Sequence, residues 1–378
     1  MSAAGAAARD DDAPLAMALA ARIRAQGPIG VDAWMAACLG DPRHGYYAGA
    51  RDGAGPIGAA GDFVTAPEVS QVFGELLGAW AAATWELAGS PSPIRLVELG
   101  PGRGTLMADA LRATARPAPG FHRALDLHLV EVNPALRAAQ ARAIGRQATW
   151  HASIDDLPAG PAIFLANEFL DALPARQIVF RAGAWRERMV GLDAAGRFTL
   201  RDGPVVGAPE LEPGQEHPGE GDVVELPEAA RGAVAAIARR IARDGGAALF
   251  VDYGPMASGI GDTLQGLRGH AMADPLSRPG ETDLTVHVDL AAMARAARRA
   301  GAQAWGPVPQ GVFLPRLGLH ARAAALARGA TPAQREALRV ACARLIGDAE
   351  MGSLFKAMAV GAPGLPVPPG FDAAPPSG

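Results

Sequence analysis

Cysteine and lysine are nearly absent from this sequence of 378 residues. The two cysteines, Cys38 and Cys342, are too few for a disulfide framework or for a zinc site made of thiolates, and they suit a reducing compartment. Lys356 is the only lysine, so arginine carries almost all of the positive charge. Because Ala and Gly are abundant as well, we interpret the shortage of lysine as a bias of genomic composition.

An excess of positive charge and a long apolar run are also missing, and a targeting leader is not expected. The formal net charge is -4 and the sequence pI is about 6.1, which does not favour a nucleic acid or an anionic membrane as a partner. No apolar run reaches the roughly 20 residues that span a bilayer. The first residues, MSAAGAAARDDDAPL, are acidic where a transit peptide is basic. They also lack the basic segment followed by an apolar segment that is typical of a secretory signal. We therefore expect a cytoplasmic protein without a membrane-inserted segment.

Apolar segments alternate with helical patterns through the middle of the chain. Four segments are apolar enough to be strands buried on both faces: IRLVELG, LDLHLVEV, AIFLAN and AALFVDYG. RQATWHA is a weaker strand between the second and the third of them. This alternation predicts an α/β fold of the Rossmann-like type, with a doubly wound and mostly parallel sheet.

Three parts of the chain differ in composition. Residues 13–90 carry helical patterns around a glycine-rich loop, and residues 91–361 carry the alternating pattern. Within the second part, residues 172–226 are β-rich and end in a polar Pro/Gly loop, which we interpret as an insertion. Residues 362–378 are rich in Pro and are expected to form a flexible tail.

Two helix starts are predicted in the first part. Asp32 is expected to be the N-cap of one helix. A single long helix is expected from Pro67 to Gly89, with Thr65 at its N-cap and Glu68 completing a capping box.

The stretch LVELGPGRGTL, from Leu96 to Leu106, indicates a buried strand that runs into a glycine turn and a helix. It lacks the Gly-Lys-Ser/Thr ending of a P-loop, which disfavours an ATPase or a kinase. It also has Thr105 at the third glycine position of a dinucleotide fingerprint, and the next acidic strand end, Glu131, lies beyond the usual spacing of about 20 residues. A dinucleotide is therefore disfavoured too.

The pattern that is present, E-x-G-x-G-x-G, consists of Glu98, Gly100, Gly102 and Gly104. It is typical of the first motif of methyltransferases that use S-adenosylmethionine. This cofactor has no pyrophosphate, so its turn needs small residues that admit the methionine portion. It also carries a sulfonium and an ammonium group, whose positive charge Glu98 can oppose, directly or through water.

Acidic residues later in the chain fit the rest of this cofactor. Glu131 ends the second strand and is expected to accept hydrogen bonds from the ribose hydroxyls. Asp155 and Asp156 follow the weaker strand RQATWHA and are expected to bind the adenine amino group.

Several blocks resemble the MidA-type family. They are GDFVTAPEVSQVFGELLGAW, LVELGPGRGTLMADALR, LVEVNP, NEFLDALP, VDYG and ETDLTVHVDL, within a resemblance that runs from about Leu15 to Val360. It implies a class I methyltransferase fold with added helical and β segments, and cofactor contacts at Gly100, Gly102, Glu131 and Asp156. The mitochondrial members of this family help to assemble respiratory complex I as protein-arginine methyltransferases.

The segment NEFLDALP is the predicted catalytic loop, with Asn167, Glu168 and Asp171 as candidate catalytic residues. A guanidinium stays protonated at neutral pH, so carboxylates are needed to hold it, and Glu168 or Asp171 would do so. Alternatively, Asp171 caps a turn and Glu168 pairs with a nearby arginine. Asn167 has a second interpretation, in which its side-chain oxygen accepts from an attacking amino group, although the usual Pro-Pro-aromatic continuation is missing.

The loop before the long helix could also close over the cofactor, with Gly58 and Gly61 as hinges. The residues expected to take part are Asp62, Phe63, Thr65, Pro67 and Glu68.

Other polar residues have weaker claims. His287 could act as a base, although a lone histidine before a helix is more often structural. Tyr253, which follows Asp252 at the end of the fifth strand, could line a substrate channel. His270 and His320 have no metal-like partners, so we predict no metal site.

We therefore predict a methyltransferase that uses S-adenosylmethionine and acts on a protein arginine, in the assembly of a partner of the respiratory complex I type. Two alternatives stay open: methylation of a small molecule, with the insertion as a lid, and a non-catalytic assembly factor that binds the cofactor for stability. Nucleic acid is not expected as a partner, and a homodimer stays open.

Overall fold

The computed structural model describes residues 13–47, 64–207 and 209–371. The helices of these residues are α1 (Pro14–Gln26), α2 (Val31–Gly40), α3 (Ala66–Val69), α4 (Gln71–Leu87), α5 (Thr105–Thr114), α6 (Pro119–Ala124), α7 (Pro134–Ile144), α8 (Glu228–Asp244), α9 (Leu290–Arg299), α10 (Gln310–Arg316), α11 (Leu319–Ala327), α12 (Pro332–Ile346) and α13 (Met351–Leu354). The strands are β1 (Ile29–Gly30), β2 (Ile94–Leu99), β3 (Leu125–Val130), β4 (Thr149–His151), β5 (Ala162–Asn167), β6 (Arg176–Arg181), β7 (Ala184–Leu192), β8 (Phe198–Val205), β9 (Val223–Leu226), β10 (Gly246–Tyr253), β11 (Gln265–Arg268), β12 (Ala271–Ala273), β13 (Asp283–Thr285), β14 (Gln303–Pro309) and β15 (Phe355–Gly361).

The largest sheet has seven strands in the order β14-β15-β10-β5-β2-β3-β4. The five strands predicted from the sequence are β2, β3, β4, β5 and β10, and they pair in parallel. Only β15 of this sheet is reversed: it is antiparallel to both of its neighbours, β10 and β14. The predicted α/β fold with a mostly parallel sheet is confirmed. Parallel strands end at one edge, so the polar residues that follow β2, β3, β5 and β10 converge there.

Helices cover both faces of this sheet. On one face, Phe73 and Trp80 of α4 are fully buried against the strands, and on the other face α8 and α9 contribute Ile237 and Met293. Each such side chain contributes about 1.5–3 kcal/mol when it leaves water. Burial on both faces explains why the strands are continuous apolar runs in the sequence.

The long helix expected from Pro67 to Gly89 is broken at Ser70, and this expectation is wrong. Ser70 has an extended backbone (φ -160°, ψ 135°), and its Oγ accepts a hydrogen bond from the N–H of Val72 (3.3 Å). A serine side chain competes with the helix for backbone groups and is stable as an N-cap. As a result α3 (Ala66–Val69) is a helix separate from α4 (Gln71–Leu87).

Asp32 is not an N-cap either. The N-cap of α2 is Gly30, because Ile29 and Gly30 pair with β7 and hold the chain extended up to the start of the helix. Asp32 lies in the first turn, where a negative charge is favourable to the helix dipole.

A second sheet, β1-β7-β6-β9 with β8 beside β7, combines strands of the inserted segment with β1. Trp34 and Met35 of α2 are fully buried in the core that joins this sheet to the N-terminal helices. The segment at 172–226 and the start of the chain therefore pack as one unit. A third, smaller sheet has the order β12-β11-β13.

The expectation of a flexible tail is wrong for the part of the chain between β15 and Phe371. Leu365 is buried, and the ring of Phe371 packs against Phe313 with centroids 5.1 Å apart. Two apolar side chains between prolines are enough to hold this segment against the core. Among the helices described here, none is both long and apolar enough to cross a bilayer.

Candidate active site

A cavity of about 570 Å³ opens at the carboxyl edge of the large sheet. Its wall contains the glycine turn after β2, the end of β3, the loop after β5, and parts of α2, α3 and α8. Predicted site residues in the wall are Thr65, Pro67, Glu68, Glu98, Gly100, Gly102, Glu131, Asn167 and Glu168.

Glu98 is buried at the base of this cavity, with 3% of its surface exposed. Burial raises the pKa of its carboxyl to about 8, and the N–H of Met107 lowers it only in part. Its Oε2 has no hydrogen-bond partner in the described part of the chain. A buried carboxylate with an unused oxygen favours a cationic group in the cavity.

Glu131 is held rigidly at the end of β3. Its Oε1 accepts from the N–H of Asn133 (2.8 Å), and its Oε2 accepts from Nε2 of Gln140 (3.1 Å). The same Nε2 donates to the carbonyl of Gly102 (2.8 Å), so Gln140 ties the glycine turn to the acidic residue. Each carboxylate oxygen keeps a second acceptor position, which suits a pair of hydroxyls.

The glycines of the turn have different roles. Gly100, Gly102 and Gly104 all have left-handed backbones, with φ of 59°, 53° and 84°. Gly100 and Gly102 lie in the cavity wall, whereas Gly104 does not, so the expected ligand contact of Gly104 is not supported. A Cβ on Gly104 would be 3.0 Å from Cα of Gln140, so this glycine allows α5 and α7 to approach each other.

We expect Gly104→Ala to destabilise the protein by about 1–3 kcal/mol, because it adds backbone strain to a close contact. A thermal melt would measure this. Gly318→Ala is the matched control, since Gly318 has a φ of 94° but open space around its Cβ. Equal melting temperatures for the two variants would contradict the packing role.

Asn167 and Glu168 lie at the end of β5. Glu168 has a φ of 50°, an uncommon conformation for a residue with a side chain. Its Oε1 accepts from the N–H of Ala66 (3.1 Å) and from Nδ2 of Asn167 (2.9 Å). Burial, followed by the charge of Asp171, raises the pKa of Glu168 to about 7, and Arg344 opposes this shift.

Asp171 lies deeper, with 6% of its surface exposed. Burial raises the pKa of its carboxyl to about 7, although hydrogen bonds from the N–H of Ala172 and the hydroxyl of Tyr253 lower it in part. Oδ1 of Asp171 and Oδ1 of Asn167 are both buried and have no hydrogen-bond partner within the described ranges. Asn167 and Glu168 lie in the cavity wall and suit a cation that carries several N–H donors, whereas Asp171 is behind the wall, so its expected contact with a substrate is not supported.

The acidic pair after β4 is outside this arrangement. Asp155 and Asp156 lie in a 3-10 helix, Ile154–Asp156, and neither is in the cavity wall. Oδ2 of Asp156 accepts from the N–H of Ser153 (3.0 Å), which forms a capping box. The structure thus places a neighbour, Ile154, at the cavity instead of the predicted carboxylates.

Thr65 and Glu68 do not form the predicted capping box. Thr65 is the N-cap of α3, but its side chain makes no capping hydrogen bond. Glu68 instead accepts a hydrogen bond at Oε1 from Oγ1 of Thr105 (2.5 Å), which links α3 to the glycine turn. The other loop residues proposed to cover the cofactor, Gly58, Gly61, Asp62 and Phe63, lie outside the described residues.

Tyr253 and His287 lie behind the cavity wall. Their rings meet edge to face with centroids 5.4 Å apart, and the N–H of His287 donates to Oγ1 of Thr263 (2.8 Å). Neither of them lines the cavity, and the hydroxyl of Tyr253 is hydrogen-bonded to the carboxyl of Asp171. Among the residues described, no group of three or more His, Cys, Asp or Glu could hold a metal ion.

One cavity residue has no local signal in the sequence. Tyr47 follows α2, and its hydroxyl donates to Oδ1 of Asp283 (3.0 Å). Its carbonyl accepts from Nδ2 of Asn133 (2.5 Å), so it reaches across to the end of β3. Only packing of the N-terminal helices against the rest of the fold brings it there.

Comparison with known proteins gives relatives over nearly the whole chain. The protein arginine methyltransferase NDUFAF7 homolog of Drosophila melanogaster is 36% identical, over 92% of this chain and 84% of its own. The Danio rerio and Homo sapiens proteins of that name are 37% and 33% identical, over 90% and 92% of this chain and 85% and 83% of their own. A crystal structure of a Burkholderia thailandensis protein bound to S-adenosyl-homocysteine has a TM-score of 0.78 and 31% identity, covering 95% of this chain and 93% of that one.

The expectation of a cytoplasmic protein is wrong in light of these relatives, which are named as mitochondrial. Few cysteines indicate a reducing environment, and that property does not distinguish the cytoplasm from other reducing compartments.

The predicted cofactor is consistent with the cavity and with the relatives. Glu98 offers an unpartnered carboxylate oxygen for an ammonium group, and Glu131 offers two acceptors for a ribose. The family described as "Putative S-adenosyl-L-methionine-dependent methyltransferase" matches residues 76–308. The chain therefore belongs to the MidA-type family of S-adenosylmethionine-dependent methyltransferases.

Proposed function

We propose that this methyltransferase acts on arginine side chains of a protein, and that its substrate takes part in the assembly of a complex of the respiratory complex I type. The observation that carries the arginine assignment is the group of buried acceptors at the end of β5. Glu168 and Asp171 have pKa values raised to about 7, and oxygens of Asn167 and Asp171 lack partners among the residues described. The names of the NDUFAF7 relatives support it.

The cofactor end of the cavity follows from the same reasoning. Glu98 would pair with the ammonium group, Glu131 would accept from the ribose hydroxyls, and Gly100 and Gly102 would leave room for the methionine portion. When bound, S-adenosylmethionine supplies an electrophilic methyl group. The glycine turn and the end of β5 face one cavity, so the acceptor can lie in line with that group.

At the acceptor end, the residues orient a planar cation. The N–H of Ala66 and Nδ2 of Asn167 fix Oε1 of Glu168, which turns the carboxylate towards the cavity. Oδ1 of Asn167 would accept from a guanidinium N–H. The nitrogen that gains a methyl group loses a proton, and Glu168, which lies in the cavity wall with a pKa raised to about 7, can take it.

A peptide assay tests this proposal. Peptides that differ only in one residue, Arg or Lys, would be incubated with the protein and the labelled cofactor, and the products would be read by mass spectrometry. We expect methylation of the Arg peptide at a rate at least tenfold above that of the Lys peptide. Preferential methylation of Lys, or of small molecules from a lysate alone, would overturn it.

Glu98 gives a prediction on pH. Its folded-state pKa of about 8 lies above the ordinary value of 4.5, so the unfolded state ionises first and the ligand-free protein loses stability as pH rises from about 5 to 8. Glu98→Gln should remove the part of this loss that Glu98 causes and leave the part due to Glu168 and Asp171. It should also weaken the binding of S-adenosyl-homocysteine by about tenfold, since it cannot oppose the ammonium charge. Thermal melts from pH 5 to 8 and calorimetry would measure both effects. Unchanged affinity would remove Glu98 from the cofactor site.

A further inference from the structure

Asp252 is a buried carboxylate to which the proposed chemistry assigns no role. It lies at the end of β10 with 1% of its surface exposed. Its Oδ2 accepts from the N–H of Leu170 (3.0 Å), and its Oδ1 accepts from the N–H of Tyr253 (3.1 Å). One side chain thus joins the end of β10 to the loop that follows β5.

That loop carries the acceptor carboxylates and adopts a strained conformation. Glu168 has a φ of 50°, which costs a residue with a side chain some free energy and persists only when its surroundings enforce it. The N–H of Glu168 donates to the carbonyl of Val251 (2.9 Å), and the carbonyl of Asp171 accepts from the N–H of Val286 (3.2 Å). The hydrogen bond from Leu170 to Asp252 fixes the middle of the loop between these two points.

Packing alone does not explain an aspartate at this position. Burial and the charges of Asp171 and Glu168 all raise the pKa of Asp252 well above its ordinary value, so a charge here is unfavourable. Lys356 lies opposite Asp252 in β15, but its Nζ donates to the carbonyl of Leu354 (3.1 Å) instead of pairing with the side chain of Asp252. What the aspartate side chain offers is two oxygens, which accept from the N–H groups of Leu170 and Tyr253, and an amide or an apolar side chain cannot supply both acceptors.

We infer that Asp252 is a positioning residue of the acceptor site, which holds the loop from Glu168 to Asp171 so that the Glu168 carboxylate faces the substrate cation. The identity of the cation in this inference rests on the proposed function, whereas the role of Asp252 in the conformation of the loop does not. Asp252 acts through Leu170 and touches neither the substrate nor the cofactor.

Asp252→Asn tests this inference, since it keeps the size of the side chain and leaves one of the two N–H groups facing an amide NH₂. We expect kcat to fall by about 10–100-fold, because a small misplacement of catalytic groups has effects of this size. Affinity for S-adenosyl-homocysteine, measured by calorimetry, should stay within twofold of wild type. Hydrogen exchange should show faster exchange of the Leu170 amide.

Asp289→Ala is the control. Oδ1 of Asp289 accepts from the N–H of Ala292 (2.8 Å) at the start of α9, so the control also removes a backbone acceptor, but not at the site. It should lower the melting temperature without lowering kcat. If Asp252→Asn fails to fold, Asp252→Ser, whose hydroxyl can still accept from one N–H, takes its place.

The outcomes separate this inference from the proposed function. Unchanged kcat and exchange in Asp252→Asn, or an equal loss of cofactor affinity and activity, would overturn the positioning role. A wild-type protein that methylates no arginine would overturn the proposed function instead. In that case the exchange of the Leu170 amide, at unchanged cofactor affinity, still decides whether Asp252 holds the loop.

Discussion

Glu168→Gln is expected to lower the rate of methyl transfer by about 10²–10³ while the cofactor binds as tightly as it does to the wild type. Oε1 of Glu168 already accepts from Ala66 and Asn167, so the glutamine oxygen would take that position. The NH₂ group of the glutamine would then face the substrate cation. The variant thus loses a charge and gains a donor that opposes the donors of a guanidinium.

The wild type should show a matching dependence on pH. Because the pKa of Glu168 is raised to about 7, its carboxylate becomes protonated as pH falls through 7, whereas a guanidinium stays charged. Turnover at saturating cofactor should therefore fall between pH 8 and pH 6. This acidic limb should be absent from the residual activity of Glu168→Gln if Glu168 is the group that causes it.

Two further variants serve as references for Glu168→Gln. Asp171→Asn should act in the same direction but more weakly, since its carboxylate also accepts from the N–H of Ala172. Glu336→Gln removes an exposed glutamate that pairs with Arg339 and should leave activity unchanged. Full activity in Glu168→Gln would exclude its role with the guanidinium, and joint loss of cofactor affinity would indicate a structural role.

Gly102→Val is expected to weaken the binding of S-adenosyl-homocysteine by about 10³-fold or more, while the protein still folds. Gly102 lies in the cavity wall with a φ of 53°, so a branched side chain would enter the space proposed for the cofactor. The same change strains the backbone by about 1–3 kcal/mol, which a domain of ordinary stability tolerates. Calorimetry and a thermal melt would measure the two effects separately.

Gly145→Val is the control that isolates strain from the loss of space. Gly145 has a φ of 60° at the end of α7, and nothing lies within 4 Å of the point that a Cβ would occupy there. The control should lower the melting temperature about as much as Gly102→Val does, with unchanged affinity for the ligand. If Gly102→Val also retains its affinity, Gly102 is not part of the cofactor site.

The sequence by itself determined the central sheet and most of the polar residues at its edge. The strands are buried on both faces, so each one is a continuous apolar run that is visible in the sequence, and parallel strands must end at the same edge of the sheet. This is why Glu98, Glu131, Asn167 and Glu168 could be predicted to share one site, and the structure brings all four to one cavity.

Only the tertiary structure decided which neighbours of those residues face the cavity. Asp156 and Gly104 both match the expected motif. The carboxylate of Asp156, however, accepts from the N–H of Ser153 in a local capping box, and Gly104 is needed because Gln140 packs closely against it. Local hydrogen bonds can satisfy a side chain that a motif assigns to a ligand.

Contacts between residues far apart in the sequence decided the rest. Tyr47 reaches the cavity because the N-terminal helices pack on the inserted sheet, and Asp252 meets Leu170 because β10 lies beside β5. Neither contact has a period or a spacing in the sequence. Each depends on which elements become neighbours after folding, and that is set by the burial of the whole core, which no single segment encodes.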